Sequence, residues 1–185
     1  AAAGTSFHFP SNHQSRRIMT TESPVFRVAT EADREVIRRL HALTELWPDG
    51  EGELSDEFME DDVRYVDQWS PERDGALIVE IDGAAAGGAW LRHFTSDDPG
   101  SGFVADEYPE VAIALEPDFT GRGLGRELMA RALDFARDRG APGVSLTVDG
   151  ANERAYRSYL AVGFEFVAAI PETEAAGYRT MLYRF

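Results

Sequence analysis

The sequence contains no cysteine and no lysine among its 185 residues. Without cysteine there can be no disulfide bonds, zinc–thiolate sites, iron–sulfur clusters or thiol nucleophiles. No run of about 18 apolar residues occurs, which argues against a membrane-spanning helix. With 43% apolar residues, the chain has the ordinary composition of a globular domain, and we expect it in the reducing cytoplasm.

Positive charge is also scarce, because 18 basic residues face 33 acidic ones and the net charge is -15. An acidic surface repels polyphosphate backbones, so we expect no nucleic-acid partner and no membrane partner. It attracts cationic small molecules, amines included. The same composition is also typical of an ordinary solvated surface, so it does not define a function by itself.

Residues 1–18 show neither periodicity nor a long apolar stretch, and Met19 offers a second start. We interpret residues 1–18 as a leader outside the fold, either disordered or not native to the chain. His8 and His13 lie there without partners at ligand spacing, so we predict no metal site. Residues 19–185 are then expected to form a single domain.

The remaining chain alternates between strand and helix patterns. Apolar runs and alternation predict strands at 25–28, 76–81, 85–94, 110–115, 144–148, 164–170 and 178–185. Helical spacing predicts helices after Thr30 and over 55–69, 123–139 and 152–162. This order of elements predicts an α/β (α+β) fold, with a mixed central sheet flanked by about four helices.

A glycine-rich turn joins the strand at 110–115 to the helix that follows it. Gly121, Gly123 and Gly125 lack Cβ atoms, so several backbone N–H groups can converge on one anion. The helix N-terminus adds unpaired donors and a positive dipole end, and Arg122 and Arg126 can contribute charge from the rim. The turn therefore predicts a diphosphate-binding cradle, although a tight connection without a ligand fits the glycines alone equally well.

Two nucleotide-binding patterns fit this turn poorly. A P-loop needs a Gly-Lys-Ser/Thr sequence, and the chain has no lysine. A dinucleotide-binding turn has the spacing G-x-G-x-x-G, whereas this turn has G-x-G-x-G. Neither a nucleoside triphosphate nor NAD is therefore favoured.

The segment from Pro109 to Arg126 resembles the cofactor motif of the GNAT N-acetyltransferases, commonly written Arg/Gln-x-x-Gly-x-Gly/Ala after a strand. A second motif of that family follows in the expected order: Asn152-Glu153-Arg154-Ala155, then Tyr159, then Gly163-Phe164. The resemblance extends in outline from about Val25 to the C-terminus. One position departs from the pattern, because Thr120 stands where Arg or Gln is usual, and this bears on cofactor affinity.

The resemblance implies a mostly antiparallel sheet that is splayed at the cofactor-binding strands. It also implies acetyl-CoA as the acyl donor, no metal, and a fold compatible with a homodimer. In the family, the pantetheine arm pairs with the strand before the glycine turn. The residues thereby implied in cofactor binding are Ile113, Ala114, Leu115, Gly121, Arg122, Gly123, Leu124, Gly125, Arg126, Asn152 and Tyr159.

Acetyl transfer to an amine needs a base for the amine and an acid for the departing thiolate. The resemblance implies Tyr159 as the acid and Glu110 as the base, acting directly or through water. From the residues alone, a core aromatic is the favoured interpretation of Tyr159, and Glu110 could equally be an exposed strand-end carboxylate. His93 is a second candidate base. Three aromatic residues either shape the acceptor pocket or belong to the core: Trp69, Trp90 and Tyr156.

The resemblance thus implies an acetyl-CoA-dependent N-acetyltransferase. Its acceptor would be a primary amine of a small molecule or peptide, attacking directly in a ternary complex. The alternative is a catalytically silent coenzyme A-binding sensor or an interaction domain of the same fold. The acceptor stays open, and the acidic surface favours cationic amines such as polyamines or aminoglycosides.

Overall fold

The structure is a computed structural model that describes residues 23–48, 50–168 and 171–185. Our expectation for residues 1–18 lies outside the described residues. The strands are β1 (Val25–Val28), β2 (Ala76–Ile81), β3 (Ala84–Arg92), β4 (Glu110–Leu115), β5 (Gly143–Asp149), β6 (Glu165–Phe166) and β7 (Tyr178–Arg184). The α-helices of the described residues are α1 (Arg34–Glu45), α2 (Asp56–Asp62), α3 (Leu124–Asp138), α4 (Glu153–Val162) and α5 (Pro171–Ala175).

The strands form one seven-stranded sheet in the order β1-β2-β3-β4-β5-β7-β6. Every neighbouring pair is antiparallel except β4 and β5, which run parallel. The predicted mixed, mostly antiparallel sheet flanked by helices is therefore confirmed. None of the described helices is both long enough and apolar enough to cross a membrane.

Each face of the sheet carries its own apolar core. The α3 face, which we define as the side covered by α3 and α4, buries Leu128, Met129 and Leu146. The α1 face, which is covered by α1 and the turn after α2, buries Ile37, Tyr65 and Trp90. Since side chains alternate along a strand, each residue of β4 and β5 is assigned to one face or the other.

The helix starts follow the predicted capping residues. Thr30 and Asp33 form the expected capping box, in which the Thr30 N–H donates to Asp33 Oδ2 at 2.8 Å. Ser55 accepts the Phe58 N–H at 3.0 Å and caps α2. Gly163 ends α4 in a left-handed conformation, with φ of 116°.

The second predicted helix, 55–69, changes its character midway. Beyond α2 the chain makes a π turn over Val63–Asp67, in which the Gln68 N–H donates to the Val63 carbonyl at 2.9 Å. Phe58 and Tyr65 are buried and Val63 is exposed. Phe58 and Tyr65 are seven residues apart, about two helical turns, so helical periodicity places them on one side and Val63 on the other. Tyr65 belongs to the core of the α1 face.

The segment before the last strand is the part that the sequence pattern describes least well. Of the predicted strand at 164–170, the described residues 164–168 contain the two-residue β6, and α5 follows further on. β6 is the outermost strand and pairs only with β7 among the described strands, through Glu165–Leu182 and Phe166–Met181. Two residues at the edge of a sheet are too few to show the alternation of apolar and polar side chains from which the bounds of a strand are predicted.

Candidate active site

The two parallel strands at the centre of the sheet separate soon after they meet. Glu110 of β4 and Ser145 of β5 are the only residues registered between them, and the Ser145 N–H donates to the Pro109 carbonyl at 3.0 Å. Beyond that pair β4 stays registered with β3 through Leu115, while β5 is registered with β7. A wedge-shaped opening therefore begins at Glu110 and widens toward Leu115.

One edge of β4 lines this opening with unpaired backbone groups. The Glu116 N–H donates to the Ala86 carbonyl on the β3 side, whereas the Pro109 carbonyl points to β5. Backbone groups alternate in direction along a strand, so those of Ile113 and Leu115 face the opening. The backbone of Ala114 faces β3. Of the three residues expected to pair with a pantetheine arm, Ile113 and Leu115 are thus positioned to do so.

The glycine turn lies at the wide end of the opening. Gly121 and Gly123 have φ values of 77° and 81°, a left-handed conformation that favours glycine. Gly123 is the N-cap of α3, so the first turn of that helix leaves the N–H groups of Leu124, Gly125 and Arg126 without helical acceptors. These donors and the positive end of the helix dipole give the turn the geometry of an anion cradle.

Three arginines add positive charge to this cradle. Most arginines of the described residues pair with a carboxylate within 4.0 Å, and Arg139 instead donates to backbone carbonyls. Arg122, Arg126 and Arg154 have no such partner in the described part of the chain. The Arg154 guanidinium reaches across from α4, and its Nη2 lies 3.4 Å from where a Cβ of Gly121 would stand. The cradle is a local cationic site on an acidic protein.

α4 carries the second motif along the α3 face. Asn152 caps this helix by accepting the Ala155 N–H at 3.0 Å. Tyr159 packs against Phe164, with ring centroids 5.9 Å apart, and contacts the core of that face. Burial raises the pKa of Tyr159 to about 12, so its phenol stays protonated at neutral pH, as a proton donor must.

Glu110 stands at the narrow end of the opening, with its side chain on the α1 face. It is buried, with 3% of its surface exposed, and Tyr65 donates its phenol proton to Oε1 at 2.7 Å. Burial raises the pKa of Glu110 to about 7, against the lowering effect of that hydrogen bond. The alternative of an exposed strand-end carboxylate is therefore wrong. A carboxyl group that titrates near neutral pH is suited to general-base chemistry.

All the buried side-chain polar atoms that lack a hydrogen-bond partner in the described residues lie on this same α1 face. Ser145 and Thr147 alternate with the α3-face residue Leu146, and Thr147 is registered with Thr180. Such atoms are few in native proteins, and those of the described residues group on one face of the sheet. They are Trp90 Nε1, Glu110 Oε2, Ser145 Oγ, Thr147 Oγ1 and Thr180 Oγ1.

Residues 40–164 match the model of the acetyltransferase (GNAT) family. The chain belongs to this family. Among curated proteins, it is 30% identical over 157 residues to the streptothricin acetyltransferase of Streptomyces lavendulae, covering 79% of this chain and 71% of that protein. It is 36% identical over 104 residues to the mycothiol acetyltransferase of Nocardiopsis dassonvillei. That match covers 55% of this chain but only 30% of the relative.

Solved structures of GNAT proteins share the fold at low sequence identity. The yncA protein of Salmonella typhimurium, solved with acetyl-CoA, has a TM-score of 0.60 at 22% identity, covering 88% of this chain and 94% of that one. The PaiA N-acetyltransferase of Thermoplasma acidophilum, solved with coenzyme A, has a TM-score of 0.62 at 17% identity, covering 89% of this chain and 100% of that one. At these identities the two structures establish the fold of this GNAT domain.

His93, the second candidate base, lies away from Glu110. It follows Arg92, the residue registered with Glu110, and therefore points to the opposite face of the sheet. Its Nδ1 lies 3.1 Å from Oδ1 of the buried Asp74, and it lines a cleft of about 470 Å³ together with Arg139 at the end of α3. The structure does not bring His93 to the opening between β4 and β5.

The three aromatic residues considered for the acceptor pocket have different surroundings in this GNAT domain. Trp69 is 1% exposed and donates its Nε1 proton to the Gly75 carbonyl at 3.1 Å, which makes it a core residue. Trp90 is buried on the α1 face. Tyr156 is half-buried on α4 and lies under the Arg179 guanidinium, 4.4 Å from its ring centroid.

Sequence reasoning assigned no role to two residues that the structure brings to the site. Arg154 was part of a motif, but the turn that it approaches lies more than 30 positions earlier. The spacing of Tyr65 from Phe58 is compatible with an inward-facing side chain, but no sequence pattern relates Tyr65 to Glu110. The contact of Arg154 with the glycine turn and the contact of Tyr65 with Glu110 both join segments that are distant in the chain.

Proposed function

We propose that this GNAT domain transfers an acetyl group from acetyl-CoA to a primary amine, by direct attack of the amine in a ternary complex. The observation that carries the proposal is the opening between β4 and β5. It has an arginine-rimmed anion cradle at its wide end and a buried carboxyl group at its narrow end. A ligand lying along β4 with its anionic end in the cradle would direct its other end toward Glu110.

The residues fit acetyl-CoA in three respects. The N–H groups of the turn and the unpaired arginines suit its phosphates, since hydrogen bonds to charged groups are the strong ones. The free edge of β4 at Ile113 and Leu115 suits the amide groups of the arm, as an added strand would. Acetyl-CoA supplies an acyl group activated as a thioester.

The protein would supply orientation and proton transfer. The backbone N–H groups of β4 would hold the thioester carbonyl and polarise it. Glu110 would take a proton from the attacking amine, and Tyr159 would return one to the leaving sulfur. Glu110 is on the α1 face and Tyr159 on the α3 face, so the base and the acid would act from opposite sides of the opening.

For the acceptor we propose a cationic primary amine of a small molecule or a peptide. The net charge of -15 favours encounter with cations and disfavours nucleic acid. The relative named for streptothricin makes that compound a sensible member of a test panel. We further propose a cytoplasmic location. From the family resemblance we also propose a homodimer, and light scattering after size exclusion would check this oligomeric state.

The first experiment is calorimetry with acetyl-CoA, for which we expect binding at micromolar concentrations.

The second experiment is an assay of free thiol release over a panel of amines, followed by the Tyr159→Phe and Glu110→Gln variants on any active acceptor. For Tyr159→Phe we expect kcat to fall about 10- to 100-fold with unchanged binding of acetyl-CoA, because only the proton donor is removed. Tight binding without transfer to any amine would favour the sensor alternative. Absence of binding at millimolar acetyl-CoA would leave an interaction domain.

A further inference from the structure

The two oxygens of Glu110 have different surroundings. Oε1 accepts the Tyr65 phenol proton at 2.7 Å, whereas Oε2 has no hydrogen-bond partner in the described residues. The cover over Oε2 is made by Gly100 and Gly102. A Cβ at Gly100 would lie 2.3 Å from Oε2, so only a residue without a side chain fits there. The carboxyl group thus has one oxygen that accepts a side-chain hydrogen bond and one buried oxygen that does not, so a proton can join Oε2 without displacing the Tyr65 contact.

The direction of the Tyr65 hydrogen bond is fixed by a second contact. The Ser101 N–H donates to the Tyr65 phenol oxygen at 3.0 Å. Because a backbone N–H can only donate, that contact uses the acceptor side of the phenol, and the single phenol proton goes to Glu110. Ser101 is itself held by α5, since the Thr173 hydroxyl donates to its carbonyl at 3.3 Å.

The Tyr65 ring is held as firmly as its hydroxyl. It is 5% exposed and stacks on the His41 ring at 5.4 Å, with Phe94 edge-on at 5.1 Å. His41 is fixed in turn by the buried Asp62, whose Oδ1 lies 2.9 Å from its Nδ1. A side chain packed in this way loses its rotamer freedom, so the phenol keeps one position relative to Glu110.

We propose that Tyr65 is the positioning residue of the base: it holds Oε1 of Glu110 so that Oε2 alone accepts the proton of the acceptor amine, directly or through water. This inference rests on the proposed function. In the step, one N–H bond of the ammonium breaks, its electron pair stays on nitrogen, and the proton joins Oε2. Tyr65 keeps its own proton throughout and touches neither the acceptor nor the thioester.

The other charged groups around Glu110 are few. Asp61 acts to raise the pKa of Glu110 and Arg64 to lower it. Arg92, registered beside it on β3, is engaged with Asp74 at 2.6 Å. Ser145, on the β5 side, is neutral. The Gly102 backbone N–H also acts to lower the pKa of Glu110, and it is retained in every variant. Among these neighbours only Tyr65 donates a side-chain hydrogen bond to the carboxyl group, so Tyr65→Phe removes that contribution alone.

The test is Tyr65→Phe, which removes the hydroxyl and keeps the ring. We expect kcat to fall about tenfold while KM for acetyl-CoA stays unchanged, as for loss of one hydrogen bond to a charged group. The pH profile of kcat/KM should move to higher pH, because the carboxylate loses a donor. Carbon-13 NMR titration of glutamate-labelled protein, assigned with Glu110→Gln, should record the same upward movement without any acceptor present.

Tyr183→Phe is the matched control, since Tyr183 is half-buried and belongs to the core of the α3 face. It should change neither kcat nor the titration of Glu110. An unchanged titration of Glu110 in Tyr65→Phe overturns the inference, and so does a loss of thermal stability with normal kcat. If the wild type acetylates no amine, the proposed function fails separately, and the titration still decides whether Tyr65 governs the proton affinity of Glu110.

Discussion

The two faces of the central sheet hold their charged groups in opposite ways. The cradle at the start of α3 presents exposed arginines that have no carboxylate partner in the described residues, whereas the α1 face buries the carboxyl group of Glu110 under two glycines. An exposed guanidinium keeps its charge at every accessible pH and is suited to binding an anion. A buried carboxyl group near its pKa changes its charge easily and is suited to moving a proton. The comparison assigns binding to one end of the opening and chemistry to the other.

Of the substitutions that test this division between binding and chemistry, we expect Glu110→Gln to have the largest effect on activity. Gln cannot accept a proton at neutral pH, so we expect kcat to fall by about 10²- to 10⁴-fold, the usual contribution of a general base. KM for acetyl-CoA should stay within about twofold, because the cradle lies at the other end of β4. Steady-state kinetics with one acceptor, in which the concentrations of the acceptor and of acetyl-CoA are both varied, measures kcat and KM. Glu165→Gln, an exposed change on β6, is the control, and retention of more than a tenth of the wild-type kcat would break the comparison.

The same substitution should alter the pH dependence of stability. The pKa of Glu110 is about 7 in the folded protein, against an ordinary value of 4.5. The folded state therefore binds the extra proton between these values, and the free energy of unfolding falls as the pH rises from about 4.5 through 7. The full penalty is at most about 3 kcal/mol above pH 7.

Glu110→Gln carries no such penalty, because its side chain is neutral throughout. We expect its free energy of unfolding, measured by urea denaturation at pH 5 and pH 8, to change less than that of the wild type. The variant would then be the more stable protein at pH 8 and the less active one. Equal pH dependence of the two proteins would mean that Glu110 is already ionised in the fold.

On the cradle side, the sharpest change is Arg154→Ala. Loss of one charge-assisted contact to a phosphate should raise KM for acetyl-CoA about tenfold and leave kcat unchanged. Arg157→Ala on the same helix is the matched control, since that side chain is 80% exposed and makes only a 3.8 Å contact with Glu153. Calorimetry with acetyl-CoA distinguishes the two variants. Equal affinities would remove Arg154 from the cradle.

The division between the faces also explains which parts of the site the sequence could predict. Apart from Arg154, the cradle is local, because its strand, glycines and helix follow one another within residues 110–126, and the caps Asn152 and Gly163 are equally local. Patterns of that kind depend on neighbouring residues, so β4 was predicted with its observed bounds. α3 begins one residue later than predicted, at Leu124.

The surroundings of Glu110 could not be predicted in this way. They combine β4, the π turn after α2 and the loop that contains Gly100, and these segments are separated by tens of residues. Sequence indicated a carboxylate at the end of a strand, but its burial and its partner Tyr65 depend on tertiary packing. The helix predicted over 55–69 was regular, whereas the chain makes a π turn over Val63–Asp67, which apolar spacing does not distinguish from an α-helical turn.

The smallest effect is expected at Thr120, where the turn departs from the pattern of its family. Thr120 has an extended backbone, and its hydroxyl donates to the Pro117 carbonyl at 3.0 Å, so the side chain stabilises the turn without adding charge. Thr120→Arg would place a further cation at the rim of the cradle. We expect it to lower KM for acetyl-CoA about two- to fivefold at low salt, the range of an exposed charge pair.

Thr120→Arg both removes the hydroxyl and adds a positive charge. Thr120→Ala separates these two effects, because it removes the hydroxyl and adds no charge. We expect it to leave KM nearly unchanged, since one exposed hydrogen bond contributes little. The gain from Thr120→Arg should disappear at high salt, because exposed charges are screened there, while the Glu110 variants should be insensitive to salt. A salt-independent effect at Thr120 would mean that the turn acts through its conformation, and the electrostatic contrast between the two ends of the opening would then need revision.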